Sequence, residues 1–190
     1  VFHEEAMFPV QEAGIPTCIR NTNNPSDSGT CIVADGSPRE NAGTITGIAG
    51  RKNFTVIAVA KVMMNQQVGF VRRILTVLEA KGISFEHMPS GIDTLSIIID
   101  DRQLNGKLDR VLDEIRAECS PDTIKAYPNM AMVAIVGQAM AHRPGVAAKV
   151  FAALAGENIN IRMINQGSSE ISIIVGVEHA ELVGQRRIGE

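Results

Sequence analysis

The chain has 190 residues, 45% hydrophobic and 21% charged, with a formal net charge of -3. That balance suits a globular chain of one large or two small domains, and its sign speaks against a nucleic-acid footprint, which is normally basic. No apolar run approaches the roughly 20 residues that a membrane-spanning helix needs, so neither nucleic acid nor membrane is an expected partner.

The chain starts at Val1 without a signal-peptide pattern, which reads as a fragment. A possible short helix comes first, then a strand at Thr17 to Ile19, a polar turn from Asn21 to Gly29 and a second strand at Thr30 to Val33. Two strands and a helix cannot bury a core alone, so they read as the tail of a larger domain. Cys18, Cys31 and Cys119 are odd in number and lack metal spacing, which suits a reducing, cytoplasmic compartment. Asp35 to Asn41, with Gly36 and Pro38, reads as a linker.

The stretch Asn53 to Val62 is β-branched and apolar and predicts a buried strand. Val71, Ile74, Leu75 and Leu78 share one helical face, which stops at Lys81-Gly82. Strands follow at Ile83 to Met88 and Thr94 to Asp100. Leu104, Leu108, Val111, Leu112 and Ile115 then mark a second amphipathic helix before Pro121, and Thr123 to Ala126 may add a strand. Met130 to Gly137, Gly145 to Ala155, Ile159 to Ile164 and Glu170 to Val175 predict strand, helix, strand and strand again.

These two runs are copies of one module. A shift of 76 positions aligns QQVGFVRRILTVLEAKGISF with HRPGVAAKVFAALAGENINI without a gap. The same shift superposes Asn53 on Asn129, Met64 on Met140, Gly69 on Gly145 and Ser96-Ile97-Ile98 on Ser172-Ile173-Ile174. The order within a copy predicts an α+β fold of the ferredoxin-like βαββαβ kind, an antiparallel sheet with two helices on one face. The second copy lacks room for its last helix before Glu190 and reads as truncated or disrupted there.

Gly69 and Gly145 each stand where a strand has ended and a helix begins. A helix start leaves about four N–H groups unpaired and carries partial positive charge, a setting for a carboxylate that glycine lets approach closely. The plainer reading is a tight turn that glycine permits. His3, His87, His142 and His179 are scattered and give no metal site. Met63, Met64, Met130, Met132 and Met140 read as core or interface filler. Ser168-Ser169-Glu170 has no histidine nearby for a triad, and Arg72-Arg73 reads as a solvated helix face. No catalytic residue is assigned.

HEEAMFPVQEAGIPTCIRNTNNPSDSGT resembles the end of the aspartokinase catalytic domain, of amino-acid-kinase α/β type. The two copies resemble that family's tandem ACT domains, with INQGSSEISIIV as the most specific stretch. The resemblance implies residues 1–42 as kinase tail and linker, 43–128 as a first ACT domain and 129–190 as a second. It implies an allosteric region of an enzyme that phosphorylates L-aspartate, regulated by an end-product amino acid, lysine and/or threonine. ATP and Mg would serve the parent enzyme; no cofactor and no metal is expected in this stretch, which would be inactive alone. A free-standing ACT-type regulatory subunit is the alternative.

The expected partners are the free amino acid, the kinase domain of the parent chain and a second copy. Pairing into a homodimer is expected through the long apolar strands Asn53 to Val62 or Met130 to Gly137, read as sheet edges. The effector set implied is Met64, Gln67, Val68, Gly69, Phe70, Ser84, Phe85 and Glu86, with Met140, Gly145, Val146, Asn160 and Ile161 as second-copy equivalents. Strand alternation over Ile83 to Met88 would put Ser84 and Glu86 on one face, opposite Ile83 and Phe85. Glu86 is the expected partner of a ligand ammonium, and its second-copy equivalent is Arg162.

Overall fold

A computed structural model describes residues 7–33, 45–137, 144–166 and 172–178. The chain divides into two compact units, residues 1–42 and 43–190. In the first, helix α1 (Phe8–Glu12) precedes a hairpin of β1 (Thr17–Ile19) and β2 (Thr30–Ile32). Its turn is held by side chains: the Asn23 amide donates to Asn21 Oδ1 at 2.9 Å and the Gly29 amide to Asp27 Oδ1 at 3.0 Å. Gly29 has φ 69°, and a Cβ there would lie 2.1 Å from the Ile19 carbonyl oxygen, so the turn admits only glycine.

The hairpin register corrects the reading of the cysteines as reduced. Cys18 and Cys31 are directly opposed, 4.0 Å apart at Cα, and form a disulfide; Cys119 is free and buried. An odd count of cysteines carried no information about which two a hairpin would place face to face.

The second unit is built on one five-stranded antiparallel sheet of order β4-β3-β5-β7-β6. The strands are β3 (Ile45–Ala60), β4 (Thr94–Asp100), β5 (Thr123–Gly137), β6 (Ile161–Asn165) and β7 (Ser172–Glu178). Helices α2 (Phe70–Ala80), α3 (Asp101–Leu104), α4 (Leu108–Cys119) and α5 (Val146–Gly156) connect them. Both expected long strands are longer at their N-terminal ends, and they pair with each other at the centre of the sheet. They are therefore not the edges from which self-pairing was expected.

The repeat is visible in the register. Phe54 faces Met130, its own counterpart at the 76-residue shift. On one side Val56 faces Tyr127, Ala58 faces Lys125 and Ala60 faces Thr123; on the other Met132 faces Arg51, Ala134 faces Ala49 and Val136 faces Gly47. Each pair maps onto its mirror across an internal two-fold axis. Asn53 (φ 66°) and Asn129 (φ 58°) both adopt the left-handed conformation beside this crossing, where the register shifts by a bulge. Residues 45–51, expected within the first module, pair instead with the half of β5 that belongs to the second, and the expected boundary at 128/129 falls inside β5.

Alternation along the strands separates two surfaces. Ile57, Val59, Ile97 and Ile99 pack beneath α2 and α4, which contribute Phe70, Ile74, Val77 and Leu78, and Val111, Leu112 and Ile115. Each such buried side chain is worth about 1.5–3 kcal/mol. In the second module Ile135, Ile173 and Val175 pack with Val146 and Val150 of α5. The opposite surfaces meet each other: Phe54, Val56 and Ile98 cluster with Met130, Met132 and Met163. Asn165 Nδ2 lies 3.2 Å from His87 Nδ1 across the same junction.

The expected strand Ile83 to Met88 is an irregular ribbon alongside β4. The Glu86 amide donates to the Ile98 carbonyl at 2.8 Å and the Ile98 amide to the His87 carbonyl at 2.9 Å, with isolated bridges at His87 and Ser90. Alternation fails here, because Ile83 is buried while Phe85 is 40% exposed. Beyond the expected strand the pairing continues, with the Ser96 amide donating to the Pro89 carbonyl at 2.9 Å and the Gly91 amide to the Thr94 carbonyl at 2.7 Å.

Candidate functional site

The loop between β3 and α2 is fixed by its own backbone. The Val62 amide donates to Asp122 Oδ2 at 2.6 Å and the Met63 amide to Asp93 Oδ1 at 2.8 Å. Lys61 Nζ reaches the Ser120 carbonyl at 2.8 Å and Asp122 Oδ1 at 3.1 Å. The Val62 amide, and then Lys61, hold the Asp122 carboxyl below its usual range. A 3-10 turn at Met64–Gln66 follows, and Gly69 enters α2 with φ 79°. No side chain caps α2; the Phe70 amide donates to the Gln67 carbonyl at 3.2 Å, and the helix end carries its partial positive charge.

The expected effector residues divide into two groups. Met64 and Phe70 turn into the core beneath α2, at 6% and 1% exposure. Gln67, Val68, Gly69, Ser84, Phe85 and Glu86 remain accessible. Ser84 is held by Gln103, whose Oε1 accepts from the Ser84 amide at 2.7 Å and whose Nε2 donates to Ser84 Oγ at 2.8 Å. Glu86 Oε1 lies 3.3 Å from Arg51 Nη1.

Arg51 in turn reaches Asp100 Oδ2 at 3.0 Å, and Arg102 Nη2 closes on the same oxygen at 2.6 Å. Arg102, through its side chain and then its backbone amide, brings the Asp100 carboxyl down to about 2. Asp100 also caps α3 by accepting from the Arg102 amide. Arg51, Asp100, Arg102 and Gln103 were missed from the sequence: Arg51 and Gln103 find partners far away in the chain, and the neighbouring Asp100 and Arg102 read as an ordinary charged turn after a strand.

In the second module Gly145 enters α5 with φ 88°, again without a side-chain cap, and Val146 is buried. Met140 lies outside the described residues. Asn160 and Ile161 line a cavity of about 300 Å³ where the open surfaces of the modules meet, together with Arg162, Tyr127 and Ser96. The Arg162 guanidinium sits 5.1 Å from the Tyr127 ring centre, and its Nε is 3.6 Å from Glu178 Oε1.

Shifting by 76 residues shows what became of the Arg51 network. Arg51 corresponds to Tyr127, Glu86 to Arg162, Asp100 to Gly176 and Arg102 to Glu178. Each charge is reversed or removed. A side chain at the Gly176 position would have to displace its neighbours by a few tenths of an ångström, because a Cβ there would lie 3.2 Å from Met132 Cε and Met163 Cβ. The aligned sequence halves hold this signal, which only the paired positions make readable.

Residues 133–184 match the ACT domain family. Over 183 residues the chain is 43% identical to aspartokinase 3 of Bacillus subtilis, covering 95% of this chain and 40% of the relative. The aspartate kinase of Clostridium acetobutylicum superposes with a TM-score of 0.87 at 58% identity, over 95% of this chain and 42% of that one. Over nearly its whole length the chain is similar to the regulatory part of aspartokinases. It spans about two fifths of the length of these aspartokinases. Aspartokinase III of Escherichia coli, in a complex with lysine and aspartate, matches with a TM-score of 0.74 at 25% identity, over 98% of this chain and 41% of that one. The antiparallel α+β architecture is that of the aspartokinase regulatory fold.

Proposed function

We propose that this chain is the effector-binding region through which an end-product amino acid inhibits an aspartokinase, and that lysine binds at the start of α2. The observations that carry the reading are a helix start without a side-chain cap and, in the same module, a ribbon carrying Ser84 and Glu86. Such a terminus suits the α-carboxylate, and Glu86 suits an ammonium. Among the described residues the ion-pair contact of Glu86 is with Arg51, which keeps Asp100 as a second partner. An ion pair this exposed is worth under about 1 kcal/mol, so exchanging Arg51 for a ligand ammonium costs little. The catalytic step, ATP with Mg, and the cytoplasmic setting belong to the parent enzyme in this reading.

Calorimetry with lysine and threonine tests it. A desolvated charged hydrogen bond is worth about 1.5–3 kcal/mol, so Glu86→Gln weakens lysine binding by about ten- to a hundredfold. Silence of the unaltered chain toward both amino acids overturns the reading. Lysine binding that survives Glu86→Gln but is lost in Arg162→Ala moves the site to the second module.

A homodimer belongs to the same proposal, through a surface other than β3 and β5. Val62, Met63, Val68 and Ile92 are 67%, 52%, 98% and 70% exposed around the α2 start. An apolar rim of this kind, beside a ligand site, suits a second copy. Sedimentation at tens of micromolar protein tests this, and a 20.4 kDa monomer with and without lysine contradicts it.

A further inference from the structure

We infer that Cys18 and Cys31 are a reversible thiol–disulfide couple, closed by low-molecular-weight disulfides and opened by dithiols, whose state sets the order of the turn between them. The couple lies in the first unit and makes no use of lysine binding at the α2 start. Its geometry comes from register. β1 and β2 pair antiparallel with Cys18 directly opposite Cys31, their Cα atoms 4.0 Å apart, so the two thiols meet without rearrangement of the backbone. Both cysteines are exposed. The hydrophobic clusters formed by the described residues include no residue of the hairpin, so no core shields the bond from a reagent. Exposed disulfides are the exchangeable ones, because exchange needs a thiolate to reach a sulfur atom. Cys119 is buried at 5% exposure, so no third thiol competes.

Little else holds the hairpin. It has three residue pairs, and a lone two-stranded ribbon is marginal in water. The turn rests on exposed side-chain bonds, with Ser26 Oγ donating to Asn24 Oδ1 at 2.8 Å beside the bonds of Asn21 and Asp27. The disulfide, across a sequence separation of 13, closes a ring around that turn and removes many of its open conformations. Closure runs in two exchanges. One cysteine thiolate attacks a sulfur of the small disulfide, forming a mixed disulfide and releasing one small thiolate. The other cysteine thiolate then attacks the protein sulfur of that mixed disulfide, forming the Cys18–Cys31 bond and releasing the second small thiolate. The protein loses two protons and two electrons, and the small disulfide takes up both to become two thiols.

The test equilibrates the whole chain with mixtures of reduced and oxidised glutathione, traps free thiols by alkylation and reads them by mass. The Cys18–Cys31 disulfide is expected to follow the mixture in both directions, with Cys119 trapped only after denaturation. Arg20 is the one lysine or arginine in residues 7–33 and lies inside the ring, so trypsin cleavage after it reports the order of the turn. Cleavage there is expected to be at least about tenfold faster in the reduced, alkylated chain and in the Cys18→Ser/Cys31→Ser variant than in the oxidised chain. A pair that stays oxidised in about 10 mM dithiothreitol until the chain is denatured overturns the inference. So does a pair that excess oxidised glutathione leaves as free thiols or mixed disulfides. Equal cleavage after Arg20 in the oxidised chain and the variant overturns it as well, because the bond then leaves the turn unchanged.

Discussion

Asp100 is the residue on which the first module's charges converge. Its side chain is 6% exposed and shared by Arg102 and Arg51, and its pKa falls to about 2. A carboxyl whose folded pKa is depressed contributes stability above its unfolded value, near 3.8, and that contribution is lost as pH falls toward 2. Asp100→Asn is therefore expected to cost about 1–3 kcal/mol at pH 7. The gap between variant and parent should close as denaturant melts are repeated from pH 5 down to pH 2. A gap that stays constant over that range means that the Asp100 charge is not what stabilises the fold. At this scale the sequence was half legible. The charge difference between Glu86 and Arg162 was visible in the aligned copies, but the Glu86 partner Arg51 sits 35 positions away and fell outside the compared helices.

The two long strands are shaped by their asparagines. Asn53 and Asn129 occupy equivalent positions at φ 66° and 58°, where each strand passes from one module to the other. Left-handed backbone costs most residues about 1–2 kcal/mol and glycine nothing, with asparagine tolerated. Asn129→Ala is expected to lower stability by about 1 kcal/mol, and Asn129→Gly to leave it within about 0.5 kcal/mol, in chemical denaturation. Equal losses in both would mean that the asparagine side chain, not its backbone, holds the bulge. Helices α2 and α5 were well legible because apolar spacing and glycine stops act within one turn, and Gly82, at φ 62°, ends α2 as expected; the single helix expected over Leu104 to Ile115 is instead broken into α3 and α4, with Gly106 at φ 68° between them. The ribbon from Ile83 was misread because apolar composition says nothing about whether a neighbouring strand continues to pair. Position within the sheet was illegible for the same reason: β3 and β5 look alike whether they lie at an edge or at the centre.

The second unit is two modules that share strands. The first module's core draws on residues 57–119. Among the described residues the second module's core brings Ile135, Ile173 and Val175 against Val146 and Val150 of α5, and its strand β5 is flanked on one side by residues 45–51. Those flanking residues bury no side chain of their own, and apart from Arg51, which pairs with Glu86 and Asp100, their contribution is a backbone ladder beside Val133 to Gly137. Removing residues 45–50 strips that ladder and exposes the edge of β5. Local opening should then become easier in the second module only. Hydrogen exchange is expected to show protection falling about tenfold, or about 1.4 kcal/mol, in β5 beyond Met130 and in β7. Amides of α2, β4 and α4 should keep theirs. Protection lost evenly across both modules would mean that they open as one cooperative body, and that the shared strands join the stabilities of the modules as well as their sheets.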